Sequence, residues 1–165
     1  AAVVYVTYWD ALASFDGGVR QVLGDQGTAR IFATYPQPFL TPVIGGLVDQ
    51  IVGTALLMLC VFALTDHRNC APVAYITPVL VGAVILTIGI AFGFNSGYAI
   101  NPARDFGPRL FTFVAGWGTE VFRAGHCWWW IPIVGPLIGG VLGGWVYDVL
   151  ITRRHPPEAD LKQAL

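Results

Sequence analysis

The chain has 165 residues, of which 55% are hydrophobic and only 12% charged, with a formal net charge of -1 at pH 7. Soluble domains carry about 25% charged residues, so this composition argues against a soluble protein and favours a membrane protein. The basic residues are scattered and form no basic patch, so we expect no nucleic-acid partner.

The first residues, AAVVYVTYWDAL, resemble the end of a helix. They include no initiator methionine and no basic segment before a signal-like core. We therefore expect residues 1–13 to be the end of a truncated transmembrane helix, and the chain to be a fragment. Residues 14–42 are rich in turn signals (DGG, GDQG and YPQPFLTP) and predict an extracellular loop, with one short helix near residues 19–23.

Three apolar runs follow, at 43–65, 73–94 and 128–151. Each reaches the length of about 20 residues that a membrane-spanning helix needs, so each is predicted to be a transmembrane helix. A buried helix of a soluble protein is the alternative, and three such runs in one short chain argue against it. The polar residues 66–72 join the first two runs, and 152–165 follow the third.

Basic residues orient these helices. Arg68 lies in the connection at 66–72, and Arg153 and Arg154 follow the last helix, which places the connection and the tail on the cytoplasmic side. Residues 95–127 must then begin and end outside. If this segment enters the membrane, it must return to the side from which it came.

The last helix has two further patterns. Trp128, Trp129 and Trp130 predict an aromatic belt at its outer end, with core packing as the alternative. The pairs Gly139/Gly143 and Gly140/Gly144 have the four-residue spacing that lets another helix approach closely. This helix is therefore predicted to pack within a bundle.

The segment 95–127 contains the polar stretch GYAINPARDFGPR. Asn101 is a good helix N-cap and Pro102 is tolerated at the first helical position, so a helix is expected to begin here. A helix cap on the surface is one interpretation. The apolar residues Leu110 and Phe111 favour the other, a re-entrant half-helix that folds back into the bundle.

A half-helix that starts within the membrane points unpaired N–H groups and a positive dipole at a passing solute. The Asn101 amide could donate to a solute oxygen, and the carbonyls from Gly97 to Ala99 could accept from its hydroxyls. Arg104 adds a fixed charge one turn later, and an arginine within the membrane is functional by default. The arrangement suits neutral, oxygen-bearing solutes and opposes cations and protons.

The stretches NPARDFGPRLF and AGWG resemble the second signature loop of the aquaporin family, and specifically that of its glycerol-conducting branch, the aquaglyceroporins. The similarity extends along essentially the whole chain. It implies an all-α membrane protein: the second half of an aquaporin-type right-handed helical bundle with a re-entrant half-helix. The first half, with its own signature loop, would have to complete the pore, so we expect these 165 residues alone to conduct nothing.

The resemblance assigns roles to individual residues. Asn101, Pro102 and Ala103 are similar to the second asparagine-proline-alanine motif, and Arg104 to the arginine of the selectivity filter. Tyr98 lies where many glycerol channels have a filter aromatic residue.

Gly89 falls where water-selective members have a histidine, so its lack of a side chain implies a wider constriction. Asp105 matches the glycerol branch, and simple capping of the half-helix is its alternative role. Other positions that match this branch are Tyr8, Arg109, Pro136 and Leu137.

Asp49 and Gln50 form a polar pair inside the helix 43–65, where such groups must find partners. Some family members have a glutamate near this place that braces the half-helix loop. Gln50 resembles its counterpart, and which of the two residues faces the loop is left open by the sequence.

Cys60, Cys70 and Cys127 lack metal-binding spacing, so we expect no disulfide framework, no metal site and no cofactor. The predicted function is a passive channel for water, glycerol and similar small neutral solutes such as urea, which excludes ions and protons. The resemblance also implies a homotetramer in the cell membrane. A secondary transporter with a substrate site at a broken helix is the alternative. A membrane enzyme has little support, because no catalytic set of residues converges near the insert.

Overall fold

The computed structural model describes residues 1–69 and 72–156 and is built from helices in this part of the chain. The α-helices are α1 (Ala2–Thr7), α2 (Trp9–Asp16), α3 (Leu47–Thr65), α4 (Thr77–Ser96), α5 (Pro102–Thr112), α6 (Glu120–Cys127) and α7 (Ile131–Leu150). Short helical turns of other types occur at Ala29–Ile31, Pro42–Gly46, Phe113–Trp117, Trp128–Trp130 and Thr152–Arg154. The predicted all-α fold is confirmed.

Three of the described helical segments are long and apolar enough to cross a membrane: Pro42–Thr65, Thr77–Ser96 and Glu120–Arg154. The first begins at Thr41, whose hydroxyl accepts a hydrogen bond from the backbone N–H of Gly45 at 3.2 Å. This is the side-chain capping that an exposed helix start needs. The chain therefore forms a multi-pass membrane fold, as the apolar runs predict.

Helices α3 and α7 pack with their backbones in contact. A Cβ added to Gly139 would lie 2.3 Å from the carbonyl oxygen of Ile51, and one added to Gly143 would lie 2.3 Å from that of Ala55. Only glycine fits at such a distance. The four-residue glycine spacing thus brings α7 against α3, which carries the polar pair Asp49 and Gln50, as expected for small residues at a membrane helix interface.

Substituting alanine for Gly139 is expected to destabilise the fold by roughly 1–3 kcal/mol, because the new methyl group would overpack against a backbone atom. The apparent Tm of the detergent-purified protein measures this effect. Gly140→Ala is the matched control, since a Cβ there would meet only the Met58 side chain, at 3.7 Å. Equal shifts in the two variants would contradict the packing argument.

Residues 14–42, which we call the outer loop after their predicted extracellular position, are held by buried contacts. The loop shares a hydrophobic cluster with α2 and the segment after α5, whose members include Leu12, Val22, Phe32, Trp117 and Val121. Beside this cluster the Arg20 guanidinium lies 5.2–5.6 Å from the ring centroids of Tyr5, Trp9 and Trp117 and donates to Asp16 at 2.6 Å. The loop is therefore an ordered part of the fold.

The short helix predicted near residues 19–23 is wrong. Gln21 instead pairs with Gly27 in an isolated β-bridge, and the loop's helical turn lies at Ala29–Ile31. The physical reason is that Asp16 accepts from the backbone N–H of Gly18 and from Arg20, which turns the chain immediately after α2.

The prediction of an aromatic belt is wrong for one of the three tryptophans, Trp128. Trp128 is fully buried and donates from Nε1 to the hydroxyl of Thr34 at 3.2 Å. Trp129 and Trp130 are partly exposed. A buried indole needs an acceptor for its N–H, and the outer loop supplies one, so Trp128 joins the turn before α7 to that loop.

Candidate functional site

The half-helix α5 begins where the sequence predicts. The Asn101 side-chain oxygen accepts from the backbone N–H groups of Ala103 at 3.0 Å and Arg104 at 3.2 Å, and Pro102 occupies the first helical position. This bonding uses the oxygen of the Asn101 amide and leaves its NH2 group without a partner among the described residues. Asn101, Ala103 and Arg104 are all exposed.

The segment just before α5 has an unusual backbone. Gly97, Tyr98 and Ile100 have positive φ angles of 94°, 41° and 40°. Such angles are costly for a tyrosine and more so for a β-branched isoleucine, so the surroundings must impose them. Within the described chain, the carbonyl oxygens of Gly97, Tyr98 and Ala99 accept no hydrogen bond and are available to a solute.

Gln50 imposes this backbone on the segment. Its side-chain oxygen accepts from the N–H of Ile100 at 2.8 Å, and its NH2 group donates to Ser96 and Asp49, each at 3.0 Å. Asp49 also accepts from Asn95 at 2.8 Å and from the Ser96 hydroxyl at 3.0 Å. Gln50 therefore faces the loop, while Asp49 lies behind it and binds the end of α4.

The other side of α5 is attached to the outer loop by a buried ion pair. Arg109 donates to Asp105 from Nε at 3.0 Å and Nη2 at 2.9 Å, and both side chains are fully buried. Asp105 accepts from the backbone N–H of Thr34 at 2.7 Å and also from its hydroxyl. Arg109 donates to the carbonyls of Thr34 at 2.5 Å and Val121 at 2.7 Å. Asp105 thus does more than cap a helix.

Gly89, Tyr98 and Arg104 come together next to the exposed tip of α5. The Arg104 guanidinium carbon lies 5.9 Å from the centre of the Tyr98 ring. A Cβ on Gly89 would lie 2.9 Å from that ring, and one on Gly93 would lie 3.1 Å from it. The two glycines of α4 therefore make the space that the tyrosine ring occupies.

The Arg104 guanidinium has no acidic partner in the described chain. The guanidinium donates no hydrogen bond there, although the backbone N–H of Arg104 donates to the Asn101 side-chain oxygen. A charged group exposed in this way can donate to a solute. Together with the Asn101 amide and the free carbonyls, it gives this surface both donors and acceptors.

Sequence reasoning missed several members of this site. Thr34, Asn95 and Ser96 supply hydrogen bonds that position α5 and the segment before it. The buried hydroxyl of Tyr35 has no partner in the described chain, and burial raises the pKa of this side chain to about 12. The sequence does contain a stretch with polar side chains in the outer loop, TYPQ at residues 34–37. Turn propensity alone does not connect this stretch to α5.

Metal-binding side chains do not converge in the described part of the chain. Within residues 1–69 and 72–156 no cluster of three or more His, Cys, Asp or Glu side chains could hold a metal ion. Cys60 and Cys127 are free thiols, and Cys70 lies outside the described residues.

Comparison with known proteins agrees with the resemblance in the sequence. Residues 2–147 match the major intrinsic protein family. The chain is 50% identical to human (Homo sapiens) aquaporin-9 over 160 residues, which cover 97% of the chain and 54% of aquaporin-9. It is 47% identical to human aquaporin-10 over an alignment of 168 positions, which covers 99% of the chain and 56% of that protein.

A solved structure is similar as well. The X-ray structure of the aquaglyceroporin from Plasmodium falciparum matches 91% of this chain with a TM-score of 0.78 and 27% sequence identity. The match covers 57% of that protein chain. The chain thus spans about half the length of the relatives it matches.

Proposed function

The chain belongs to the major intrinsic protein family, and we propose on this premise that it forms half of the wall of a passive channel for water, glycerol and similar small neutral solutes. The single observation that carries the proposal is the exposed surface at the tip of α5. There the unpaired carbonyls of Gly97 to Ala99 are followed along the chain by the free amide of Asn101 and the guanidinium of Arg104.

This surface has the chemistry to guide a polyol. Glycerol carries hydroxyl groups along one edge and C–H groups along the other. Carbonyls can accept from the hydroxyls while Asn101 and Arg104 donate to the same oxygens. The Tyr98 ring, placed over Gly89 and Gly93, offers an apolar surface to the carbon chain.

The same groups support the exclusion of cations and protons. Arg104 is a permanent positive charge, and the start of α5 adds the positive end of a helix dipole. Channels use such fixed positive groups as electrostatic barriers. Exclusion of ions is therefore part of the proposal.

A secondary transporter is the weaker alternative. Coupling to ions requires an ionisable group that changes its charge at the substrate site. Asp49 and Asp105 are the nearest carboxylates, and both are buried and committed to structural hydrogen bonds. Neither is free to take part in a transport cycle.

The family also supports two further expectations. We propose that the complete protein is a homotetramer and that it resides in the cell membrane. No group in the site calls for a cofactor or an enzymatic reaction, and a channel needs neither.

The proposal is tested with a chimaera in which this chain follows the first half of human aquaporin-9, the relative it matches over about half of its length. Cells expressing the chimaera at their surface should swell rapidly in isosmotic glycerol and not in sorbitol. Swelling in glycerol no faster than in untransfected cells would refute the channel. Uptake that saturates and collapses with the proton gradient would favour the transporter.

The substitution Gly89→His is expected to reduce glycerol flux about tenfold, since an imidazole crowded against the Tyr98 ring would narrow the passage, and about 1.4 kcal/mol added to the barrier slows passage tenfold. Water is smaller and should be slowed less, so the ratio of glycerol to water permeability falls. Stopped-flow swelling in the chimaera measures both. Gly82→His on the same helix is the control, because a Cβ there meets open space. An unchanged permeability ratio in Gly89→His would remove Gly89 from the filter.

A further inference from the structure

A small cavity lies beside Arg104, on the side of the outer loop. Its volume is about 170 Å³. Arg30, Tyr35 and Gln37 of the outer loop line it, together with Gly97 and Arg104 at the start of the half-helix. We refer to the space lined by these residues as the vestibule cavity.

The charged groups that line the vestibule cavity are both positive. Arg30 and Arg104 are its guanidinium groups, and no carboxylate is among the described residues that line it. The nearby Asp105 is fully buried and already binds Arg109 and Thr34. Glu120 lines a larger neighbouring cavity of about 550 Å³, which shares Arg30 and Gln37 with the vestibule cavity. The vestibule cavity therefore has a local excess of positive charge.

The polar side chains around the cavity also have spare hydrogen-bond donors. In the described chain, the Arg104 guanidinium and the Gln37 amide have no acceptor, and Arg30 has one long contact, 3.4 Å to the carbonyl of Pro36. Tyr35 is 3% exposed and its hydroxyl is unpaired among these residues. An unpaired hydroxyl is costly only where it is buried, as at Tyr35, whereas Arg30 and Arg104 are exposed and offer donors that water would otherwise satisfy. A ligand rich in acceptors could bond to all three.

We propose that the vestibule cavity binds a small oxyanion, a carboxylate or sulfonate group, between Arg30 and Arg104. Guanidinium groups form strong charge-assisted hydrogen bonds to such groups, and two of them can share the oxygens of one anion. A neutral polyol supplies as many donors as acceptors and matches this donor-rich lining less well. An anion held by Arg104 also obstructs the filter, so it inhibits solute flux, and this consequence rests on the proposed channel function.

Binding is tested directly by saturation-transfer NMR on the methyl group of methanesulfonate, with the purified chimaera at low ionic strength. Saturable binding is expected, with an affinity about tenfold lower in Arg30→Gln, as for the loss of a charged hydrogen bond. Arg123→Gln is the matched control, because Arg123 lines only the larger cavity. Dimethyl sulfone, a neutral analogue, should not bind.

Three results would overturn the site. These are equal affinity in Arg30→Gln and the unaltered chain, an equal loss in Arg123→Gln, and equal binding of dimethyl sulfone. The first removes Arg30 from the site. The second reduces the effect to general surface charge, and the third shows that the negative charge is not recognised.

Inhibition is tested separately by glycerol swelling with chloride replaced by methanesulfonate at constant ionic strength. The unaltered chimaera should be slowed by up to about twofold near half-saturation, where half of the channels hold the anion, and Arg30→Gln should be slowed less. Binding without slower swelling would refute the inhibition but would still support the binding site. A chimaera that binds methanesulfonate and never conducts glycerol would refute the proposed channel, so the two failures are distinguishable.

Discussion

Replacing Arg109 by methionine is expected to destabilise the folded chain by about 3–5 kcal/mol, the usual cost of breaking a buried ion pair by removing one partner. Arg109 and Asp105 are fully buried and joined by two hydrogen bonds. The substitution leaves the Asp105 charge buried without its cation. It also removes the donors to the carbonyls of Thr34 and Val121.

The apparent Tm of the detergent-purified chimaera measures this loss, and protease cleavage within residues 14–42 reports release of the outer loop. Arg153→Met is the matched control, because Arg153 forms an exposed ion pair with Asp148 at 2.8 Å. Exposed pairs contribute about 0–1 kcal/mol. Similar Tm losses in the two methionine variants would show that burial of the Asp105 pair does not matter.

Arg109→Lys separates charge from geometry. Lysine keeps the positive charge but lacks the planar fork that reaches Asp105, Thr34 and Val121 at once. An intermediate loss of Tm is expected. A lysine variant as stable as the original would mean that the charge alone holds the outer loop.

The parts of the fold that the sequence predicts well depend on local properties. The three spanning helices follow from the length of apolar runs, and the start of α5 follows from Asn101 and Pro102. Each property is set by neighbours in the chain, so no knowledge of tertiary contacts is needed. The glycine spacing in α7 belongs to the same class, since it describes one face of one helix.

The parts that the sequence does not predict depend on contacts between distant residues. Asp105 bonds to Thr34, which is 71 positions earlier, and the indole of Trp128 bonds to the same threonine from 94 positions later. A turn-rich loop and a tryptophan run carry no signal that they meet. The tryptophan run therefore predicts a belt position for Trp128, whereas its contact with Thr34 buries it.

The polar pair of α3 lies between these cases. Its position within an apolar run shows that Asp49 and Gln50 need partners, but not which residue faces the loop. The structure answers this through donor and acceptor chemistry. The Ile100 N–H requires an acceptor and the Asp49 carboxylate requires donors, and an amide at position 50 supplies both.

Replacing Gln50 by leucine is accordingly expected to reduce glycerol flux by about tenfold or more, because the Ile100 N–H and one Asp49 oxygen lose partners that cost about 1–3 kcal/mol each to leave unsatisfied. The positive φ angles of Tyr98 and Ile100 then lose their support, and the segment relaxes away from the filter geometry. Swelling of the chimaera in glycerol is the measurement. Gln26→Leu, an exposed position in the outer loop, should leave the flux unchanged.

An exchange of groups tests the bonding pattern at nearly constant side-chain volume, because Glu and Gln have almost the same shape. Gln50→Glu keeps an acceptor for Ile100 but removes the donor to Asp49 and places two carboxylates side by side, so flux should fall. Combining it with Asp49→Asn restores one amide and one carboxylate. The new amide at position 49 can donate to the new carboxylate at position 50, while its oxygen still accepts from Asn95. Recovery of glycerol flux in the double variant is therefore expected. A double variant as impaired as Gln50→Glu alone would show that this pattern of donors and acceptors does not hold the segment, and the brace would no longer explain the strained backbone before α5.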